Sequence, residues 1–248
     1  MEQTGSKGNV SIQPSEAPQS LPADQADQMV AVHSSGFLGS LSPELADDLV
    51  RSAALVRYSA GKASTGARDA PWAAIVVSGV VREYVPTLDG RQVTIRYARA
   101  GDLVGSSPAG STTVAIEIEA VETADLLHLD VARLDHSGRL EPELAIALVE
   151  ELSNRLRRAY RTMAGNTFST VRSRVARDLL ERFGAGAPLP GVQVRVTQQA
   201  LADATGSVRE VVTRALPELR VRGLIQTDQS WITILDLDGL IREAGQTI

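Results

Sequence analysis

The chain has 248 residues, 25 Lys and Arg against 30 Asp and Glu, a formal net charge of −5 and no cysteine. That length suggests two domains or one large one, and the absent thiols exclude disulfides, thiolate zinc sites, cysteine-ligated iron–sulfur clusters and a cysteine nucleophile. No apolar run approaches the ~20 residues of a membrane helix and no secretory leader is visible, so no membrane partner and a cytoplasmic location are expected.

The acidic balance argues against indiscriminate binding of nucleic acid, which needs local positive potential. It leaves room for a basic patch, because arginine is concentrated from Arg155 to Arg182 and recurs at Arg195, Arg209, Arg214, Arg220 and Arg222. Residues 1–30 are rich in Gln, Ser, Pro, Ala and Asp and cannot bury enough apolar surface to offset ordering entropy, which predicts a disordered tail. A short helix follows, with Ser42 as cap, Pro43 in its first turn, and Leu45 and Leu49 on one face.

From Ala53 to Asp130 the pattern becomes short apolar or alternating runs broken by turn residues. The segment AAIVVSGVVREYV, the turn Leu88-Asp89-Gly90 and QVTIRYARAGDLVG read as antiparallel strands of a sandwich or barrel. In the next run Val114, Ile116 and Ile118 share one face while Glu117 and Glu119 share the other, as in a strand with its acidic side in water. A long helix is expected from about Pro142 to about Met163, some 30 Å. Ala145, Val149, Leu152, Leu156, Ala159 and Met163 repeat at 4-3-4-3-4 along it, an a/d seam suited to pairing with a second copy or to packing on the chain's own barrel.

A second helix, Val171–Phe183, precedes a Gly/Pro-rich loop. The run Thr197–Leu224 then reads as two helices joined by a tight turn at Gly206, and Leu224–Gln226 and Trp231–Leu235 flank a polar turn as a small hairpin, the wing of a winged helix. Thr197 caps the first helix. Ser207-Val208-Arg209-Glu210 has the S-x-x-E form of a capping box, which places the start of the second at Ser207. On that helix Val211, Val212, Ala215 and Leu219 form the inward stripe, and Arg209, Glu210, Thr213 and Arg214, the four candidate base-reading side chains, the outward one. An arginine fork can donate to guanine O6 and N7, and a carboxylate can accept from cytosine N4, each pair discriminating by about 1–3 kcal/mol. The competing reading is a solvated face with Glu210 and Arg214 as an i,i+4 ion pair. Pro217 predicts a kink or an early end to this helix.

Taken together, these features resemble the cyclic-AMP receptor / fumarate–nitrate regulator (Crp/Fnr) family of bacterial transcription factors from Phe37 to Asp236. GRQVTIRYARAGDLVG is similar to the family's barrel signature, and VTQQALADATGSVREVVTRALPELRVRGLI to its DNA-reading segment, with the R-E-x-x-x-R triad standing as Arg209, Glu210 and Arg214. The resemblance implies base contacts from these three and phosphate contacts from Thr197, Gln198, Gln199 and Ser207. It also implies a homodimer on a palindromic double-stranded operator of the TGTGA half-site type, with RNA polymerase as a further partner. In the sensor half the ligand positions depart from the family's: after Gly105, Ser106 replaces a ribose-binding glutamate. The phosphate-binding Arg-Ser pair falls at about Val114 and Ala115, and the adenine-touching Thr-Ser pair at Ala159 and Tyr160. This degenerate pocket points away from cyclic AMP and toward another small-molecule effector or none, because burying an unpaired phosphate costs several kcal/mol.

The expected fold is α+β, with a disordered tail over residues 1–30, a cyclic-nucleotide-binding-like β-barrel or jelly roll over 31–137, a dimerisation helix over 138–166 and a winged helix-turn-helix over 167–248. A hinge is expected near Thr167-Phe168-Ser169. The rival is a barrel enzyme or small-molecule-binding protein whose C-terminal part binds no DNA. His33, His128 and His136 lack the paired spacing of a metal site, His128 with Asp130 reads as surface decoration, and Trp72 and Trp231 read as packing residues. No cofactor, no resident metal and no catalytic residue are expected.

Overall fold

The computed structural model describes residue 32 and residues 35–61, 63–64, 72–87, 92–105, 116–183 and 191–245. The expected tail, the Leu88-Asp89-Gly90 turn, His33, and Ser106, Val114 and Ala115 of the expected pocket lie outside them.

Two four-stranded antiparallel sheets form the N-terminal part. One runs in the order β1 (Ala54–Tyr58), β8 (Ala124–Leu129), β3 (Ala73–Ser78), β6 (Leu103–Gly105). The other runs β2 (Ala63–Ser64), β7 (Glu117–Ala120), β4 (Val81–Pro86), β5 (Gln92–Ala98). They pack face to face and are not closed into the expected barrel. The unbroken apolar run of β3 has a direct cause. Ala74 and Val76 meet Val81, Ala98, Ile118 and Leu126 between the sheets, while Ala73, Ile75 and Val77 face the helices outside. A strand buried on both faces has no reason to alternate.

The acidic side of β7 is not the solvated face the alternation predicts. Glu117 is buried and accepts a hydrogen bond from the Tyr84 hydroxyl (2.8 Å), and Glu119 pairs with buried Arg82 (2.6 Å). Burial of a carboxylate is tolerable because a cation or hydroxyl stands opposite on the neighbouring strand, a pairing that periodicity within one strand cannot reveal.

Outside the first sheet lie α1 (Gly36–Gly39), α2 (Pro43–Arg51), α3 (Val131–Leu140) and the N-terminal half of α4 (Pro142–Phe168), contributing Phe37, Leu38, Leu49, Leu134 and Leu144 to a shared core. Asp130 caps α3, its Oδ1 accepting from the amides of Ala132 and Arg133 at 2.9 and 3.2 Å. Ser42 precedes α2 as expected, yet its hydroxyl makes no cap bond and instead donates to Glu143 at the start of α4 (2.9 Å). Helix α4 has 27 residues, a length of about 40 Å, and continues past Met163 to Phe168.

The C-terminal part comprises α5 (Val171–Phe183), β9 (Gln193–Arg195), α6 (Gln198–Ala204), α7 (Arg209–Val221), β10 (Ile225–Asp228), β11 (Trp231–Ile234) and α8 (Leu237–Glu243). It has its own core, built from Val175, Leu179, Leu201, Val212, Leu219, Ile232, Ile234 and Leu240. The break between α4 and α5 falls at Ser169–Thr170, overlapping the expected hinge at Ser169.

Candidate nucleic-acid interface

Helix α6 starts where its cap dictates: the Thr197 hydroxyl accepts from the Ala200 amide at 3.1 Å. The turn to α7 uses Gly206 at φ +59°, a conformation open to glycine at little cost. The expected capping box does not form. The cap of α7 is Val208, whose carbonyl accepts from Val211 and Val212, and no side chain caps the helix. Ser207 lies one residue outside, with its amide bonded to the Ala202 carbonyl (2.9 Å), so closing the inter-helix turn takes precedence over capping.

From this start the two faces of α7 separate largely as expected, except that Val211 is half-buried and Leu216 joins the inward stripe. Val212, Ala215, Leu216 and Leu219 are buried, and Arg209, Glu210, Thr213 and Arg214 are exposed. Among the described residues there is no Glu210–Arg214 ion pair; Arg214 Nε instead approaches the Glu210 carbonyl at 3.4 Å, a weak contact. Thr213 is more constrained than its neighbours. Its hydroxyl lies 2.8 Å from both the Arg209 carbonyl and Gln198 Oε1, which joins the reading helix to the first turn of α6. Of the expected phosphate contacts, Thr197 and Gln199 are exposed, while Gln198 and Ser207 are half-buried. Gln199 also donates to Asp203 (2.8 Å).

Pro217 neither ends α7 nor stops it short: the helix runs on to Val221. Proline removes one backbone bond, and burial of Leu216 and Leu219 on either side holds the next turn in place. The wing is longer than the composition implies. Strands β10 and β11 pair from Ile225↔Ile234 to Asp228↔Trp231 around a two-residue turn, where Gln229 takes φ +46°. Strand β9 extends the sheet on the far side of β11. A cavity of about 180 Å³ separates α7 from the wing, with Pro217, Arg220, Gln198 and Gln229 among its walls. Trp231 is 45% exposed, so it does not serve the packing role expected of it.

Part of the arginine concentration from Arg155 to Arg182 is engaged within the chain, while Arg157 and Arg158 are exposed. Arg155 donates to the Gly105 carbonyl (3.1 Å), Arg172 pairs with Glu218 and Glu243 (2.6 Å each), and Arg182 pairs with Asp178 (2.7 Å). Composition alone cannot separate such structural cations from a phosphate-binding surface.

Along α4 the seam turns away from the sheets. Leu144 and Ala147 are buried against them, while Val149, Leu152, Leu156 and Met163 are exposed on the other side, joined by Ile146 and Tyr160. Ala145 and Ala159 are half-buried. Ala145 and Leu152 border the cavity that α4 shares with β6 and α3, so most of the seam, but not all of it, is turned away from the chain's own sheets.

Of the expected pocket residues, Gly105 and Tyr160 can be placed. Tyr160 stands exposed on the seam. Gly105 has φ +114° and sits against the Trp72 carbonyl, a site with no room for a Cβ. Its amide donates to Glu83 Oε1 (3.1 Å), and its carbonyl is taken by Arg155. Glu83 in turn pairs with Arg96, which lies 3.6 Å from Glu151, and Glu151 accepts from Arg155 (2.8 Å). Sequence reasoning missed this buried network; the signal available was a charge at the inward positions of β4 and β5. Beside it, β6, α3 and α4 enclose a cavity of about 340 Å³ with Leu103, Leu134, Leu148 and Leu152 in its walls. His128 is half-buried rather than surface decoration, with Nε2 2.9 Å from the Tyr58 hydroxyl and its ring beside Trp72, while Asp130 serves α3. Burial lowers the His128 pKa. Among the described residues no group of three or more His, Cys, Asp or Glu could hold a metal ion, and no helix is long and apolar enough to cross a membrane.

A capped first helix, a glycine turn, a second helix with an exposed polar face and a three-stranded wing define a winged helix-turn-helix, a DNA-binding class of fold. Residues 173–243 match the family model described as a Crp-like helix-turn-helix domain. Over 175 residues, 68% of this chain and 86% of the relative, the chain is 34% identical to the transcriptional regulator LdrP of Thermus thermophilus. Over 181 residues, 68% and 78% of the two chains, it is 31% identical to a CRP-like cAMP-activated global transcriptional regulator of Mycobacterium tuberculosis. The solved structure of a CRP/FNR-family transcriptional regulator, also from Thermus thermophilus, matches with a TM-score of 0.64 and 28% identity, covering 78% of this chain and 99% of that one. The chain belongs to the Crp/Fnr family of transcriptional regulators.

Proposed function

We propose that the protein is a homodimeric, sequence-specific transcription regulator whose sensor half does not respond to cyclic AMP. The observation that carries the DNA-reading role is the exposed face of α7, where Arg209, Glu210 and Arg214 stand together on a helix held by a buried stripe. Base contacts come from these three, with Thr213 setting the distance between α6 and α7 through Gln198. Phosphate contacts come from Thr197, Gln198, Gln199 and Ser207 on a palindromic operator of the TGTGA half-site type, and RNA polymerase is the downstream partner. The homodimer reading is supported by the exposure of Val149, Leu152 and Leu156 along the apolar stripe of α4.

For the sensor, the support is the substitution of family ligand positions by Ser106, Val114, Ala115 and Tyr160, together with the self-satisfied network that occupies both backbone groups of Gly105. The effector is then a different small molecule, or the sheets serve as a scaffold. For the barrel-enzyme rival, no group of three or more His, Cys, Asp or Glu that could hold a metal ion is found among the described residues.

Selection from random DNA followed by binding assays on Arg209→Ala and Arg214→Ala tests the reading. Each replacement is expected to cost about 1–3 kcal/mol and to relax preference at one base position. Sequence-specific binding that survives both replacements unchanged would overturn the assignment of these residues.

A further inference from the structure

Strand β5 does more than close its sheet, because its outward side carries the C-terminal part of the molecule. The Tyr97 hydroxyl donates to Asp178 Oδ1 on α5 (2.5 Å), and Arg182 Nε, one turn further on, donates to Asp178 Oδ2 (2.7 Å). The Arg182 guanidinium lies 5.2 Å from the Tyr97 ring centroid, within cation–π range. All three side chains are more than nine-tenths buried, at 4%, 6% and 8% exposure. Two residues along, Arg99 donates to the carbonyls of Glu181 and Arg182 (3.0 Å to the latter). These belong to the last turn of α5, where carbonyls have no partner within the helix and a cation is favoured. Toward the other end of the strand, Val93 forms an antiparallel bridge with Thr205, at the end of α6. The contact therefore runs along β5 and reaches the turn of the helix-turn-helix itself.

A buried polar cluster of this kind contributes little net stability, since desolvation offsets its attraction, but it tolerates only one arrangement. The covalent link between α4 and α5 is the short stretch Ser169–Thr170. The reading face of α7 remains uncovered in this arrangement. A two-fold operator requires recognition helices about one DNA turn apart, ~34 Å, and a pivoting unit would have to be ordered on binding.

We propose that Tyr97, Arg99, Asp178 and Arg182 are positioning residues for DNA recognition, a clasp that locks the winged helix-turn-helix onto β5 and so holds α7 at one angle to the long helix. This rests on the DNA-reading function proposed above, and the test separates the two.

The full chain lacks cysteine, so Glu44→Cys and Val221→Cys, both exposed, accept nitroxide labels cleanly. With labelled chain diluted into unlabelled chain, the distance between the labels within one protomer is expected to be single and narrow. It should broaden in Tyr97→Phe, which removes one oxygen and leaves the ring beneath Arg182, and in Asp178→Asn. On the selected operator both variants are expected to lose about tenfold in affinity at the preferred half-site spacing, as for a lost hydrogen bond to a charged group. They should lose less when the spacer is longer by one base pair, with base preference within each half-site unchanged. A broad distance in the parent chain, or variants that keep both the narrow distance and the parent's spacing preference, would overturn the clasp. A narrow parent distance without any sequence-specific binding would overturn the DNA-reading function and leave the clasp as a domain contact with no positioning role. Should Asp178→Asn not fold, Tyr97→Phe carries the test alone.

Discussion

At α7 a single residue decides between a solvated surface and a reading face. An i,i+4 ion pair between Glu210 and Arg214 would occupy the groups that base edges need, at a gain of only about 0.2–0.5 kcal/mol. Arg214 leans instead on a backbone carbonyl at a distance where little is lost by leaving it. The residue scale also supplies a pH-dependent effect at Glu181. Its half-buried carboxyl is pushed up to about 7 by burial and by the neighbouring Asp178, against the pull of Arg177, Arg99 and Arg158. The native state therefore holds a proton that the unfolded chain releases near its ordinary value of 4.5. Stability from this group is full below that value, falls as pH rises, and is lost above about 7. Glu181→Gln should remove this slope. Comparing denaturant midpoints at acid and mildly alkaline pH should show the variant gaining on the parent by on the order of 1–2 kcal/mol, after discounting for residual solvent contact. An equal difference at both pH values would contradict it.

Among the elements, α4 shows how far periodicity reaches. The 4-3-4-3-4 spacing named Val149, Leu152, Leu156 and Met163, and each is exposed, although Leu152 also borders the cavity beside β6. Spacing could not say which face the sheets would take, because Leu144, Ala147 and Leu148 form a second apolar stripe beside the first. The sheets cover that second stripe. Leu156→Glu should therefore leave the fold intact and split the proposed dimer. Two carboxylates per interface would be buried without partners, at several kcal/mol each, and light scattering should report the monomer mass. A dimer of unchanged affinity would move the interface elsewhere. Pro217 marks the limit of local rules in the other direction: a residue that breaks helices in isolation sits inside α7 because Leu216 and Leu219 bury their side chains around it. The capping box fails for a related reason, since the amide of Ser207 is needed by the Ala202 carbonyl in the turn.

For the whole molecule, the two halves carry different kinds of information. In the DNA-binding half the chemistry is local, lying within Thr197–Arg214, and the family triad was legible from residue types and spacing. Elsewhere the relevant contacts join different elements: Glu83 to Arg96 across two strands, Arg155 to Gly105 from helix to strand, and Tyr97 to Asp178 between the two halves. The substitutions at the family's ligand positions lead to one expectation for the intact protein. Adding cyclic AMP should change neither the thermal midpoint nor the affinity for the selected operator, and a clear shift of either at micromolar ligand would restore the nucleotide as the signal.

The sequence by itself determined the succession of strands, long helix and winged helix, the outward face of α7 and the apolar seam of α4. Each of these is written in a period of two, or of three and four, within one segment. Only the tertiary structure decided that the sheets stay unclosed, that Glu117 is buried against the Tyr84 hydroxyl and Glu119 half-buried against Arg82, and that Arg155, Arg172 and Arg182 bind within the chain. The physical reason is that a charge's role depends on the partner it meets in space. For Asp178 that partner is Tyr97, 81 positions away in the chain.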